Sequence, residues 1–539
     1  MSSQLPPEGT PGAEEHETDG TPVSADAADA PAHEETAVEE TAVEETAVGT
    51  APKPGRAKRI LKATGLTLAL PGAAVVAGSG YVAVKSLTAS PDNSPEHEAS
   101  KDEYLDALAG TTSSGEAPNV LLVYYDDLGY GDLGFMGETP IKTPNIDRLA
   151  ENGVVLTNYH SPSAVCTPSR AAMLTGRLAP RAAVPDVLFP TDSPISVMNR
   201  MSGSFGLTQA EITIPDVLQS SGYQTGMIGK WHIGDTEGSL PNDFGFDSFL
   251  GSRYSNDMTP FKIYQDDEVL LETVDQTELD ALYTDAAVDF VADAADSDDP
   301  FFLYFAHNFP HEPLFAAEEN EGRSDAGLYG DIVEGLDDGI GRIVDELEAT
   351  GQLDNTIIMI TSDNGPWYQG DAGDHRGRKG LINEGGMLVP FMVHWPAGLE
   401  GGRTLDTMTM GTDILPTLLD WLDIDAPTDR VLDGTSMAPL LAGTSEQVGE
   451  HYYYYAGKKL IAVSDGRYKY YAKHPYLYGT SDLTFTVAQP KGPWLFDLEA
   501  DPSESYDVSA KHPEIAERLK AELERRNAEM AENPRGWVS

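Results

Sequence analysis

A single cysteine, Cys166, occurs in 539 residues. A disulfide within the chain is therefore excluded, and cysteine usage says nothing about the redox compartment. By default a lone cysteine is a small buried hydrophobe, and only its neighbours can argue otherwise. Basic residues are scarce as well: 35 Lys+Arg stand against 88 Asp+Glu, a formal net charge of −53. Nucleic acid is disfavoured as a partner, because phosphate backbones are bound by cationic side chains that displace counterions. The same surface repels polyanions in general, and it equally suits a salty habitat or simple colloidal solubility. Residues 1–52 contain no Lys, no Arg and no aromatic residue, but 13 acidic ones, with EETAVEETAVEETAV running from Glu34 to Val48. A segment with so little to bury cannot offset its ordering entropy, so residues 1–55 are predicted to be a disordered acidic tail.

Basic residues then appear together, at Lys53, Arg56, Lys58, Arg59 and Lys62, ahead of 22 uncharged residues from Ala63 to Val84. At roughly 1.5 Å per residue such a stretch spans a bilayer. The basic flank predicts the N-terminus inside and the bulk of the chain outside. Residues 56–85 thus read as a basic flank plus a transmembrane signal-anchor of a single-pass cell-membrane protein. Pro71 and several glycines weaken the span, and cleavage of this segment would give a secreted protein instead. The long acidic tail ahead of it is unlike a cleaved signal peptide. A buried core helix is a third reading, against which the basic flank argues. Residues 86–116 are polar and read as a linker.

From Pro118 the pattern is α/β. Asn119–Tyr125, Phe301–Ala306, Ile357–Thr361 and Pro390–Trp395 are apolar runs of buried-strand length. Thr143-Pro144 opens a helix with Ile146, Leu149 and Ala150 on one face, stopped by Gly153. Ile332, Leu336, Ile340, Ile343 and Leu347 form one helical stripe closed by Gly351. Strands alternating with amphipathic helices predict a large, mostly parallel or mixed sheet sandwiched by helices. After about residue 445 the strands are short and aromatic (Tyr452–Tyr455, Tyr468–Tyr471), and a last helix carries Ile515, Leu519 and Leu523. The chain from 117 to 444 is therefore expected to be one α/β domain, and 445–539 a smaller C-terminal α+β subdomain.

Ligands of open α/β sheets bind beyond the carboxyl ends of the strands. The first strand ends in Asp126-Asp127. Phe301–Ala306 is followed by His307 and by Pro310-His311-Glu312-Pro313, and Ile357–Thr361 by Ser362-Asp363-Asn364-Gly365. Each alone is an ordinary turn sequence. Together they deliver three carboxylates and an amide oxygen to one rim, a hard-oxygen set that suits Ca²⁺ or Mg²⁺ rather than zinc. Cys166 opens Cys166-Thr167-Pro168-Ser169-Arg170, where Cys166 or Thr167 can cap a helix running to Gly176. A helix N-terminus favours a thiolate, or an oxyanion on a modified residue.

At these residues the chain resembles the Cys-type, formylglycine-dependent sulfatases, arylsulfatase-like members of the alkaline phosphatase superfamily. Cys-x-Pro-x-Arg, within CTPSRAAMLTGR, is similar to the signature read by the formylglycine-generating enzyme. DDLGYGDLG, TPNIDRLAENG, GKWHIG, the PHEP segment, SDNG, HRGRKGLINEGG and LFDLEADPSE follow in the family's order, spanning roughly 118 to 510. The resemblance implies an alkaline phosphatase-like fold. It implies that Asp126, Asp127, Asp363 and Asn364 bind Ca²⁺, with Mg²⁺ the alternative, and that Cys166, converted to 3-oxoalanine (formylglycine), completes the shell. By the same resemblance Arg170 steadies the aldehyde hydrate, Lys230 and Lys379 bind sulfate, His232 is the base acting on the hydrate, and His311 lies near the leaving oxygen. Ser255, in GSRYSND, matches a sulfate-contacting serine. His307 lies outside the Pro-His-x-Pro frame and reads as structural. Where the family often has Leu-Arg-Gly-Gly-Lys, this chain has His375-Arg376-Gly377-Arg378-Lys379, and Arg378 is expected to reshape the pocket or bind an anionic substrate.

The implied reaction is hydrolysis of a sulfate ester, on a small molecule or a sugar, to an alcohol or phenol and inorganic sulfate, with a formylglycine-generating enzyme as maturation partner. A phosphonate or phosphate ester hydrolase of the same superfamily is the first rival. An inactive surface-binding protein on this scaffold is the second, disfavoured because no motif residue is missing. Aryl, sugar and sterol sulfates all remain open as substrates, as does oligomeric state.

Overall fold

The computed structural model describes residues 94–109, 117–472, 474–475 and 490–538. The acidic tail 1–55 and the apolar segment within 56–85 lie outside the described residues. Among the described residues no helix is long and apolar enough to cross a membrane. The stretch 86–116, read from sequence as a linker, contains a helix, Pro95–Leu108. Lys101 fixes it to the body: buried, its Nζ donates to Asp216 Oδ2 at 2.9 Å and lies 5.0 Å from the centre of the Phe244 ring. Lys101, Tyr104, Leu105 and Leu108 face the core at helical spacing, a stripe too short and too polar to stand out in the sequence.

The strands of the larger part are β1 (Asn119–Tyr125), β2 (Val154–Leu156), β3 (Tyr159–His160), β4 (Gln224–Lys230), β5 (Ser248–Ser252), β6 (Ile263–Gln265), β7 (Glu268–Leu271), β8 (Phe301–Ala306), β9 (Thr356–Ser362), β10 (Phe391–His394), β11 (Arg403–Leu405) and β12 (Thr409–Met410). β3 pairs with β12, and the other ten form one sheet in the order β11-β2-β10-β9-β1-β8-β4-β5-β6-β7. The central run β9-β1-β8-β4-β5 is parallel throughout. Its carboxyl ends therefore share one rim. The Pro390–Trp395 strand, β10, runs antiparallel to both its neighbours, because a long loop rather than a crossover helix leads into it.

Alternation along β1 shows why the sheet is covered on both sides. Val120, Leu122 and Tyr124 join one core with Ala171, Met173 and Leu174 of the helix Cys166–Thr175 and with Val217 and Leu218 of Ile214–Ser220. Leu121, Val123 and Tyr125 join the other with Tyr283 of Leu279–Ala294 and with Ile332, Leu336, Ile340, Ile343 and Leu347 of Gly327–Ala349. All ten residues of Cys166–Thr175 are buried, so this helix has no solvent-exposed face. Its N-cap is Val165 rather than Cys166 or Thr167, and Gly176, at φ 64°, ends it in the left-handed conformation. Thr167 Oγ1 instead accepts from the Leu188 amide at 3.2 Å.

The chain closes with a smaller antiparallel sheet of β13 (Tyr452–Ala456), β14 (Lys459–Ser464), β15 (Tyr468–Tyr471) and β18 (Trp494–Asp497), besides a short pair, β16 (His474–Pro475) with β17 (Pro490–Lys491). Leu519 and Leu523 of the helix Pro513–Glu532 pack on it against Leu460, Val463, Tyr470 and Leu495.

Ile340→Ala, at a site with no solvent exposure, is expected to cost about 2–5 kcal/mol through the cavity it leaves. Denaturant unfolding measures this; a loss below about 1 kcal/mol would mean that the stripe is not core.

Candidate active site

Five strand ends meet at the rim. β1 delivers Asp126 and Asp127, β9 delivers Asp363 and Asn364, β4 ends in Lys230 and leads to His232, β5 leads to Ser255, and β8 leads to His311. Asp127 and His232 both have left-handed backbones, at φ 66° and 60°. Non-glycine residues adopt that conformation only where the surroundings impose it. Gly229, at φ 114°, lets β4 pass close to β8: a Cβ there would sit 2.0 Å from the Ala306 carbonyl oxygen.

These side chains form one charge cluster. Lys230 Nζ pairs with Asp126 Oδ2 and donates to Ser255 Oγ at 3.2 Å. Arg170 grips Asp363 Oδ2 through Nε at 3.0 Å and Nη2 at 2.8 Å, and its Nη1 donates to the Lys230 carbonyl at 2.9 Å. Lys379 Nζ is 2.8 and 2.9 Å from the two oxygens of Asp127. Asn364 Nδ2 donates to Asp127 Oδ1 at 2.7 Å. Burial pushes the Asp126 carboxyl up, but Lys230, His311, Arg170 and Lys379 outweigh it and hold Asp126 well below the usual carboxylate range. Asp363 moves the other way, to about 7, through burial and the neighbouring Asp126 charge, against the pull of Arg170.

Burial is also the largest influence on the other groups. It pushes the Cys166 thiol up to about 12 despite Lys230 and Lys379. Burial thus opposes the thiolate that a helix N-terminus favours. Burial, then the Lys230 charge, hold the His232 imidazole well below its ordinary value. Its Nε2 lies 3.1 Å from the Leu188 carbonyl, and its buried Nδ1 has no hydrogen-bond partner among the described residues. With the proton on Nε2, Nδ1 is the basic atom. His311 is lowered by burial and by Lys379. Its ring nitrogens are both 3.4 Å from Ser255 Oγ, and Nε2 is 3.7 Å from Asp127 Oδ2.

The residues present fit a divalent cation. One ligand atom from each of Asp126, Asp127, Cys166 and His311 lies within 4.8 Å of the others. Asp126 Oδ1 and Asn364 Oδ1 are buried oxygens without a hydrogen-bond partner among the described residues, and such atoms are costly unless something positive meets them. Asp363 stands outside that four-residue set, with Oδ2 on Arg170 and Oδ1 accepting from the Asp127 amide at 3.2 Å. Oδ2 is taken up by two bonds from Arg170, and Oδ1 keeps a second lone pair for a cation.

Two residues flagged in the sequence lie elsewhere. His307 Nδ1 accepts from the Phe309 amide at 2.9 Å, and its ring packs edge-on against Tyr283, a structural position. Arg378 does not reach into the pocket: Nη1 donates to the carbonyls of Trp367 and Gly370, both at 2.6 Å. It braces the loop that carries Trp367. Sequence reasoning missed Asn256, whose Oδ1 is 3.1 Å from His311 Nδ1 and whose Nδ2 donates to the Pro313 carbonyl at 3.1 Å. It follows Ser255, and the strand-end rule would have found it had β5 been recognisable. Asp257, Glu312, Pro313, Leu314, Leu328 and Trp367 line a cleft of about 700 Å³ that opens on Asp127, His311 and Lys379.

The family model described as "Sulfatase" matches residues 118–424, and one described as "N-sulphoglucosamine sulphohydrolase, C-terminal" matches residues 373–529. Arylsulfatase A of Homo sapiens is 34% identical over 466 residues, which cover 77% of this chain and 88% of that protein. N-acetylgalactosamine-6-sulfatase of Mus musculus is 31% identical over 452 residues, 75% of this chain and 84% of that protein. The crystal structure of PsFucS1 sulfatase from Pseudoalteromonas sp. is similar with a TM-score of 0.68 at 27% identity, covering 83% of this chain and 97% of that one.

Arg170→Met removes the partner of a buried carboxylate, and is expected to cost about 3–5 kcal/mol of stability. Denaturant midpoints check this; an unchanged midpoint would show that Asp363 is held by other groups.

Proposed function

This chain belongs to the sulfatase family and is a sulfuric ester hydrolase, and from that premise we propose that its nucleophile is the hydrate of an oxidised Cys166, working beside a divalent cation. Ca²⁺ is the first choice and Mg²⁺ the alternative, since the donors are hard oxygens. The observation that supports this best is the place of residue 166, whose side-chain atom lies within 4.8 Å of Asp126, Asp127 and His311 donors. A thiol that burial keeps protonated is a poor nucleophile. Its conversion to formylglycine replaces it with a group that can form a gem-diol, and this makes a formylglycine-generating enzyme, reading Cys166-Thr167-Pro168-Ser169-Arg170, an obligatory partner.

Asp126, Asp127, Asp363 and Asn364, with residue 166, would hold the cation. It would supply positive charge at the sulfate oxygens and acidify the nucleophilic hydroxyl. The side chains do the rest. Three cations, Arg170, Lys230 and Lys379, already oppose the three carboxylates, so a divalent ion leaves the site positive toward an arriving anion. Lys230, Lys379 and Ser255 bind the sulfate oxygens. Arg170 is buried beneath them and steadies residue 166. His311 protonates the leaving alcohol or phenol oxygen, the substrate's negative charge raising its proton affinity. His232 takes the remaining hydroxyl proton at position 166 through Nδ1, so that sulfate leaves and the aldehyde returns. Neither a plain thiol nor a serine offers a second hydroxyl for that step.

The cleft argues for a sulfate on an aryl or sugar body that is otherwise uncharged. Its walls carry Asp257, Glu312 and the Trp367 ring. Carboxylates accept hydrogen bonds from hydroxyls, aromatic faces stack on apolar ring faces, and both disfavour a second anionic group. The basic flank and uncharged run at 56–85 support a location outside the cytoplasm, with residues 63–84 in the membrane or the chain secreted after cleavage.

Cys166→Ala is expected to abolish hydrolysis of 4-nitrophenyl sulfate while leaving the circular dichroism spectrum and melting temperature unchanged; residual turnover above about 1% would refute the nucleophile. Parallel assays with 4-nitrophenyl phosphate and a phenylphosphonate ester decide against the phosphoryl rival if kcat/KM for the sulfate is highest. Chelation is expected to lower activity reversibly, with Ca²⁺ restoring it. Full activity in metal-free protein would reject the ligand set.

A further inference from the structure

The loop 375–387 holds more of the site than Lys379 alone. The Gly380 amide donates to the Ala164 carbonyl at 2.7 Å, two residues before Cys166. The Lys379 amide donates to the Pro366 carbonyl at 3.0 Å, and the Gly386 carbonyl accepts from the Gly365 amide at 3.0 Å, next to Asn364. One segment thus aligns the lead-in to residue 166, the end of β9 and the Lys379 ammonium. Yet it contains Gly377, Gly380, Gly385 and Gly386, and its only regular structure is the short helix Glu384–Met387. Bonds within it, such as the Gly385 amide to the Arg376 carbonyl at 2.7 Å, leave part of its shape to be set from outside.

The smaller sheet supplies part of that support. Lys469, in β15, sends its Nζ into the loop, where it donates to the Ile382 carbonyl at 2.7 Å and to Glu384 Oε1 at 2.6 Å. Glu384 Oε2 meets His160 Nε2 at 2.6 Å, and Glu504 Oε2 accepts from the Glu384 amide at 2.8 Å. The Glu504 carbonyl accepts from Arg376 Nη1 at 2.9 Å. Lys469 Nζ also lies 3.9 Å from the centre of the Tyr454 ring. The Lys469, His160 and Glu504 side chains have 0% exposure and Glu384 4%. Burying such a network costs as much desolvation as its attractions return, and apolar residues of similar shape would stabilise the fold as well. What the ions add is one fixed geometry. None of these four residues touches the cleft, and none takes part in the chemistry derived above.

We propose that Lys469 is a positioning residue for sulfate binding: through the Ile382 carbonyl and Glu384 it sets the loop that aims Lys379 at the substrate. The proposal rests on Lys379 being a sulfate ligand. It gives the smaller sheet a role in substrate binding, and it accounts for a lysine inside an aromatic strand, where packing alone would favour an apolar residue.

Equilibrium binding of inorganic sulfate to the mature, calcium-loaded full chain tests this, measured by calorimetry on the parent, Lys469→Met, Lys379→Ala and the double variant. Lys469→Met is expected to weaken sulfate binding on the order of tenfold, the size expected when a binding group is displaced rather than removed. In the Lys379→Ala background the same change is expected to have less than about twofold effect, because the residue it positions is gone. Lys469→Arg, which keeps the charge, should recover part of the loss. If Lys469→Met does not fold, His160→Gln, which leaves the Lys469–Glu384 pair intact, serves in its place with an expected loss of about threefold. Sulfate affinity within twofold of the parent, or equal losses in both backgrounds, overturns the proposal. A parent that binds sulfate but hydrolyses neither 4-nitrophenyl sulfate nor any of a panel of sugar sulfates contradicts the functional reading instead, and leaves the positioning role standing.

Discussion

Three carboxylates, Asp126, Asp127 and Asp363, are crowded without solvent at the ends of two adjacent strands, and the protein must supply positive charge to keep them there. Arg170, Lys230 and Lys379 do so, each from a different part of the chain. Burial and the neighbouring Asp126 charge raise Asp363 above the usual carboxylate range, and Arg170 opposes that rise. The helix that carries Cys166 also carries Arg170, so the grip on Asp363 fixes the position of residue 166. The proposed nucleophile, cation site and anion site are in this sense one electrostatic object.

The fold makes that object by parallelism. Because β9, β1, β8, β4 and β5 run the same way, every loop at their carboxyl ends faces the same rim, and residues as far apart in sequence as Asp127 and Lys379, 252 positions, become neighbours. The Lys379 loop departs from this scheme, since it leads into the antiparallel β10 and has no helix of its own. Part of its support comes from the smaller sheet, through Lys469, with Glu504 and Arg376 tying the loop to the segment that follows that sheet.

The parts of this arrangement that were legible in the sequence are those with a strong local pattern. The continuous apolar runs of β1, β8 and β9 and the stripe of Gly327–Ala349 announce a covered sheet, and the polar residues after each strand announce the rim. β4 and β5 were hidden. QTGMIGK and SFLGS contain glycines and polar residues because the strands approach closely there: a Cβ on Gly251 would lie 1.9 Å from the Gly229 carbonyl oxygen. Without β5, Asn256 had no frame. Of the two roles the sequence left open for Arg378, its bonds to the Trp367 and Gly370 carbonyls favour shaping the cleft wall over binding an anion, a choice that charge counting cannot make. The helix Pro95–Leu108 was hidden because a buried lysine on Asp216 fixes it, and composition marks such a residue as solvent-facing.

The central claim is that residue 166 acts as an aldehyde and not as a thiol. Mass spectrometry of the peptide containing residue 166, taken from protein whose sulfatase activity has been measured, tests it most directly. The account predicts the aldehyde or its hydrate in place of the thiol, in a fraction that scales with specific activity across preparations. A fully active preparation whose residue 166 is unmodified cysteine would contradict it.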